Sequence, residues 1–178
     1  MLEEFQNFDY KLLEWIYSHR WKAADDFVIW TTQYATLVSV AVILFIFGLY
    51  FIKKEKKHLL FGIEISFVIV LTALINFAIK NIFQRLRPFD VHDNIKQLVA
   101  GGSYSFPSGH TMEVFALATA ISILFKRPSL SALFFLWAIW IGYTRMAMGV
   151  HYPFDVFGGM ILGISITFFI LKWRRVKK

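Results

Sequence analysis

Apolar residues run along this chain in long blocks separated by short polar clusters, and blocks of that length predict helices rather than alternating strands. Residues 2 to 20 place Leu2, Phe5, Phe8, Leu12 and Ile16 at helical spacing with charges between them. This pattern suits a helix lying in a membrane interface, or one docked on the protein surface. A longer block runs from Phe27 to Ile52 and ends in KKEKKH. At about 1.5 Å per residue it can cross a hydrocarbon core of about 30 Å. Four further blocks follow, from Leu59 to about Ile79, from about Thr111 to Phe125, from about Ser129 to Thr144, and from Pro153 to Leu171. The middle two are short for a span, and flanking polar residues that continue the helix into a protected cavity supply the missing length. The expected fold class is therefore an all-α integral membrane protein, a bundle of five to six helices with an N-terminal interfacial amphipathic helix over residues 1–22. With no repeat and no Pro-, Gly- or Ser-rich linker, residues 1–178 form one expected domain.

Composition fixes the solvent. Of 178 residues, 57% are hydrophobic and only 17% charged, which excludes an ordinary soluble domain. The net charge of +7 raises the question of nucleic acid, but the basic residues stand at the ends of apolar blocks, which is membrane topology. No nucleic-acid partner is expected, and the oligomeric state is left open. One side receives Lys53, Lys54, Lys56, Lys57, Lys126, Arg127, Lys172, Arg174, Arg175, Lys177 and Lys178. By the positive-inside rule that side is cytoplasmic. The segments Lys80 to Pro107 and Arg145 to Pro153 then face outward. The first twenty residues carry Glu3, Glu4, Asp9 and Glu14 instead of a basic start and a cleavable apolar run, so the N-terminus is expected to be retained. The chain has no cysteine, so neither a disulfide nor a thiolate metal site is available.

The outward segments gather Lys80, Arg85, Arg87, His110, Arg145, His151 and Asp155, and that many cations in one place call for an anion. Lys80 ends an apolar block, and Pro88 disfavours helix at Arg87. In FPSGHTMEVF, Ser108 or Gly109 marks a helix N-terminus, where free N–H groups and the helix dipole favour phosphate. Gly109 allows close backbone approach and puts His110 within reach of the bound anion. In TRMAMGVHYPFD, His151 and Asp155 are four apart, so the carboxylate can accept a hydrogen bond from one ring nitrogen and stabilise the cation formed when the other attacks. Holding the oxygens of a transferring phosphoryl group falls to Lys80, Arg87 and Arg145. A metal held by His110, His151 and Asp155 is disfavoured because the surrounding cations repel a dication.

Taken together, KNIFQRLRP, PSGH and TRMAMGVHYPFD resemble the three-part signature of the phosphatidic acid phosphatase type 2 superfamily, which includes membrane lipid phosphatases and soluble vanadium haloperoxidases. The match runs from about Lys80 to Asp155. One departure is Thr144, where the family commonly has Ser; the hydroxyl is kept. The resemblance implies that His151 is the nucleophile of a phosphohistidine intermediate, that Asp155 orients it, and that His110 protonates the leaving group. It implies further that Lys80, Arg87, Ser108, Gly109 and Arg145 bind the phosphate without metal or cofactor. A haloperoxidase needs no spans, so a lipid phosphatase is the expected activity. Undecaprenyl diphosphate, cut to its monophosphate at the outer face of a bacterial inner membrane, is the first choice of substrate. Phosphatidylglycerol phosphate, phosphatidic acid and lipid A phosphates are the rivals, and a non-enzymatic lipid-binding protein is the alternative of another class.

Several residues are placed outside this core. Arg85 is expected to be solvated or to touch a lipid headgroup, and Asp90, His92 and Asp93 to be solvent-exposed. Glu113, one turn beyond His110, either reaches the site or merely answers the helix dipole. Glu64 is a carboxyl inside a span, expected to be protonated, paired or close to the cytoplasmic surface, and the nearby Lys53–Lys57 cluster favours the last. The Gly158-Gly159 pair is read as a close helix contact.

Overall fold

The structure, a computed structural model, describes residues 2–176. The elements are α1 (Leu2–Ser18), a 3-10 turn (Lys22–Ala24), α2 (Asp25–Gln33), α3 (Ala35–Lys53), α4 (Lys56–Phe83), the short α5 (Pro88–Val91), α6 (Gly109–Phe125), α7 (Pro128–Ala147) and α8 (Pro153–Val176). Among the described residues there is no strand. Proline opens α5, α7 and α8, where its missing N–H is no loss and its fixed φ suits the first turn. Lys54, Gln84 and Lys126 adopt left-handed conformations that end α3, α4 and α6, each returning its N–H to a carbonyl four residues back.

Four helices, α3, α4, α7 and α8, are long and apolar enough to cross a membrane. They expose large apolar side chains outward, among them Leu44 and Phe45 of α3 and Phe67 and Phe77 of α4, as lipid-facing surfaces do. The protein is an integral membrane helical bundle. Its fifth apolar helix, α6, has only 17 residues and sits in the middle, packed on α3, α4, α7 and α8. Eleven of its residues are buried, so it is apolar on all faces for a different reason from the others: its surroundings are protein. Val68, Leu117, Ile121 and Leu171 belong to one core cluster, and Val114, Phe115 and Ile141 to a second.

The α6–α8 contact is the closest in the bundle, and small residues make it possible. A Cβ on Gly159 would stand 2.6 Å from the Ser108 carbonyl oxygen, and one on Gly163 would collide with the Met112 carbonyl. Such backbone approach is how membrane helices pack without a hydrophobic drive between them. Gly158 packs against the Phe106 ring, in keeping with the contact role expected of the pair.

Two expectations change. The block from Phe27 to Ile52 is two helices, because the chain turns at Tyr34. Thr31 and Thr32 are buried at that turn: Trp140 of α7 donates to Thr31 Oγ1 (3.1 Å), and Thr31 donates to the Val28 carbonyl (3.0 Å). Next, α1 both docks and offers an apolar stripe. Asp9 and Leu13 are fully buried against the bundle, while Phe5, Phe8 and Trp15 stay largely exposed. Glu64 is buried in protein, about two turns into α4 from its Lys56 end. Of the C-terminal cations, Lys177 and Lys178 lie outside the described residues.

Candidate active site

The end of α4, the start of α6, the end of α7 and the start of α8 meet at one end of the bundle, and the signature residues sit on those ends. Lys80 occupies the last turn of α4, Arg87 precedes α5, Ser108 is the N-cap of α6, and Arg145 lies in the last turn of α7. His151 stands in the short connection to α8, whose first turn carries Asp155. Gly149 shapes that connection. Its φ of +72° lies in the left-handed region, and a Cβ there would meet the Lys96 carbonyl oxygen at 2.6 Å. Val150 and His151 are thereby turned inward and buried.

The imidazole of His151 is set between a cation and an anion. Arg87 Nη1 lies 3.4 Å from Nε2, and Asp155 Oδ2 lies 3.6 Å from Nδ1. The second distance exceeds hydrogen-bond length, which corrects the expected bond from ring to carboxylate. Oδ2 already accepts two closer donors, Ser105 Oγ at 2.5 Å and the Tyr152 N–H at 2.8 Å. The carboxylate still acts on Nδ1 by charge, so the proton belongs on Nδ1 and the lone pair on Nε2, facing Arg87. Burial pushes the His151 imidazole down to about 3, with Asp155 pulling partly the other way. The free ring is neutral, as a nucleophile must be.

Two further cations stand at the same end of the bundle as Arg87. Arg87 is buried and held by the carbonyls of Gly102, Ser103, Tyr104 and Val150, so its position is fixed by the 101–104 loop. Lys80 donates to the carbonyls of Tyr104 and Ser105. Arg145 is buried too, with Nη1 donating to Thr32 Oγ1 (2.9 Å) and Nε without a partner. The charges of Arg145, Arg87 and Lys80 all act on His110, and those of Arg87 and Arg145 on His151. His110 and Gly109 line a cavity of about 170 Å³ between α4 and α6, shared with Asn76, Met112 and Glu113. Ser108 and Thr144 are fully buried; Ser108 Oγ accepts from Thr111, and Thr144 Oγ1 donates to the Ile141 carbonyl. Glu113 reaches the cavity beside His110, with Oε2 accepting from Thr36 of α3 (2.9 Å).

Some of the site was absent from the sequence reading. Arg85 is tied to two carboxylates instead of standing free in solvent: Nη1 donates to Asp155 Oδ1 (2.7 Å) and Nη2 to Asp9 Oδ2 (2.6 Å), while its guanidinium covers the Tyr152 ring. The physical reason is that a buried carboxylate at Asp155 needs a cation, and Arg87 is committed elsewhere. Burial pushes the Asp9 carboxyl above its ordinary value, opposed by its bonds from Arg85 and the Phe154 N–H. Asn76 is a further supporting residue; it donates to the Pro107 carbonyl and so pins the loop before α6. Its signal was a polar residue exactly one turn before Lys80 in an apolar run. His92 is half-buried, stacked on Tyr10, whereas Asp90 and Asp93 are exposed as expected.

Residues 61–178 match the family model described as PAP2 superfamily. The chain belongs to the PAP2 superfamily. Among its relatives, the undecaprenyl-diphosphatase BcrC of Bacillus subtilis is 29% identical over 156 residues, covering 88% of this chain and 78% of that protein. A lipid A 4'-phosphatase of Bacteroides thetaiotaomicron is 30% identical over 149 residues, and the chain spans 60% of its length. Among solved structures, Aquifex aeolicus LpxE superposes with a TM-score of 0.78 at 29% identity, over 91% of this chain and 93% of that one. A PAP2-type phosphatidylglycerolphosphate phosphatase of Bacillus subtilis shares the fold at a TM-score of 0.82 and 24% identity, over 98% of this chain and 88% of that one. The PAP2 match includes most of α4 and all of the chain after it, and hence every signature residue; α1, α2 and α3 lie before it.

Proposed function

We propose that this PAP2 protein hydrolyses the terminal phosphate of a membrane lipid by way of a phosphohistidine on His151, with undecaprenyl diphosphate as substrate. The enzyme class follows from the superfamily and its lipid-phosphate-cleaving relatives: the chain is a membrane lipid phosphatase. The observation that carries the mechanism is the neutral Nε2 of His151 aimed at a guanidinium, with a carboxylate behind Nδ1. In the first step the N–P bond forms as the bond from phosphorus to the leaving oxygen breaks, and His110 gives that oxygen a proton. In the second, water attacks phosphorus, His110 takes the water's proton, and the N–P bond breaks to release phosphate. Lys80, Arg87, Arg145, the Ser108 hydroxyl and the Gly109 N–H hold the phosphoryl oxygens, where charge develops. Asp155 balances the imidazolium in both steps. No step calls for a metal, and three cations already do the work of charge neutralisation.

The choice of a polyprenyl diphosphate is supported by the BcrC relative and by two further undecaprenyl-diphosphatases, from Sulfolobus acidocaldarius and, by a putative assignment, Escherichia coli. The lipid A phosphatases among the relatives make lipid A the strongest rival. A panel of polyprenyl diphosphate, phosphatidylglycerol phosphate, phosphatidic acid and lipid A, assayed with chelator present, tests both readings. Release from the diphosphate is expected at a kcat/KM about tenfold or more above the others, unaffected by chelator. A preference for lipid A overturns the substrate, and loss of activity with chelator overturns the mechanism.

We also place the site on the outer face of a bacterial inner membrane. Lys53, Lys54, Lys56, Lys57, Lys126, Arg127 and Lys172 all lie at the end of the bundle remote from His151, the arrangement expected when that end is cytoplasmic. A single cysteine placed at exposed Asp93 should react with a membrane-impermeant maleimide in intact cells. Reaction only after lysis reverses the orientation.

A further inference from the structure

The catalytic carboxylate is not held by its own neighbourhood alone. Arg85 divides its guanidinium between Asp155 on α8 and Asp9 on α1, at 2.7 and 2.6 Å. Asp9 is fully buried, and its second oxygen accepts the Phe154 N–H at 2.9 Å. Phe154 is the second residue of α8, so that N–H is one of the donors a helix start leaves unpaired. One side chain from the N-terminal helix thus caps the helix that bears Asp155 and fixes the cation that grips it.

We infer that Asp9 is a positioning residue for phosphoryl transfer, acting on His151 through Arg85 and Asp155. The inference rests on the His151 mechanism proposed above.

Two effects follow from the geometry. The first is orientation. With Nη2 taken by Asp9, Arg85 meets Asp155 through Nη1 and Oδ1 alone, which leaves Oδ2 on the side of His151 Nδ1. Without the Asp9 carboxylate, both guanidinium nitrogens are free to close on Asp155 as a two-point pair, the geometry arginine favours, and Oδ2 is drawn from the imidazole. The second is charge. Two carboxylates around one guanidinium leave a net negative charge behind Nδ1, in a buried setting where it strongly favours the imidazolium formed in the transition state. Neutralising Asp9 leaves that cluster with none. The substrate-binding cations Lys80, Arg87 and Arg145 make no hydrogen bond to Asp9, so the effect falls on turnover and not on binding.

The test is Asp9→Asn in the full chain in detergent or vesicles, which keeps the shape and the acceptor for Phe154 but removes the charge. Active sites are counted by the burst of labelled phosphate bound to protein, and kcat is expressed per active site. Losing a supporting group of this kind is expected to lower kcat about 10- to 100-fold with KM within about twofold. Asp9→Glu, which restores the charge, is expected to recover most of the loss. In an Arg85→Gln background Asp9→Asn should add nothing further, because the path runs through Arg85.

An unchanged kcat per active site with fewer folded sites makes Asp9 merely structural and overturns the inference. An additive loss on Arg85→Gln overturns the route. Should Asp9→Asn not fold, Arg85→Lys asks the same question, since one ammonium cannot fork to both carboxylates. Full activity there is equally fatal. If wild-type protein turns over lipid with no label on His151, the underlying mechanism fails and the inference with it. Label on His151 with an indifferent Asp9→Asn removes the inference alone.

Discussion

His151→Ala is expected to bring phosphate release down to the uncatalysed background, a loss of about 10⁴-fold or more, because it deletes the atom that makes the covalent bond to phosphorus. The remaining site is left largely standing. Arg87 is held by four loop carbonyls and needs nothing from the imidazole, and Arg145 is held by Thr32. Vanadate or phosphate should therefore still inhibit lipid binding with an affinity within about tenfold of wild type, while labelled phosphate no longer appears on the protein. That pairing separates a lost nucleophile from a lost fold. Turnover that survives the substitution, or a label that moves to His110, would reverse the roles assigned to the two histidines.

The second large effect belongs to Arg145. Its guanidinium is buried with one nitrogen bonded to Thr32 Oγ1 and Nε bonded to nothing, an arrangement that is costly unless an anion completes it. Arg145→Lys keeps a positive charge in roughly the same place and removes the planar fork that meets two phosphoryl oxygens at once. A fall in kcat/KM of about 10²- to 10³-fold is expected, with inorganic phosphate inhibition weakened in parallel. A change within about threefold would mean that Arg145 is structural and that its unpartnered nitrogen has another purpose. Arg87 offers a less clean test, since replacing it also releases the 101–104 loop.

The signature residues were legible because their spacing is local and places them at helix ends. Lys80 and Arg87 flank the end of α4, Ser108 and His110 the start of α6, and His151 and Asp155 the start of α8, as helix-boundary rules foretold. The apolar blocks gave the bundle by length alone. What escaped was the pairing of residues far apart in the chain. Nothing near Asp9 announces that it will be buried against Arg85, 76 positions on, because the pattern of α1 suits a lipid surface as well as a protein one. Arg85 was misplaced for the same reason: its two partners come from the first and last helices. The turn at Tyr34 is masked by the length of the apolar block around it, although TTQY inside that block is a polar interruption, and Thr32 uses it to reach Arg145. The long contact from His151 to Asp155 could not be read from spacing, which gives the helix face but not which other donors arrive first.

The placement of α6 has a mechanical consequence. At about 1.5 Å per residue its 17 residues reach only about 25 Å, less than a typical hydrocarbon core of about 30 Å, yet it carries Ser108, Gly109 and His110. Because its neighbours wrap it, lipid never grips this helix. A thicker or thinner bilayer is met by the tilt of α3, α4, α7 and α8, and only as much of that strain as crosses the protein contacts arrives at the phosphate site. The catalytic end is built like an instrument hung inside a frame, so its alignment belongs to the protein and not to the thickness of the membrane that holds it.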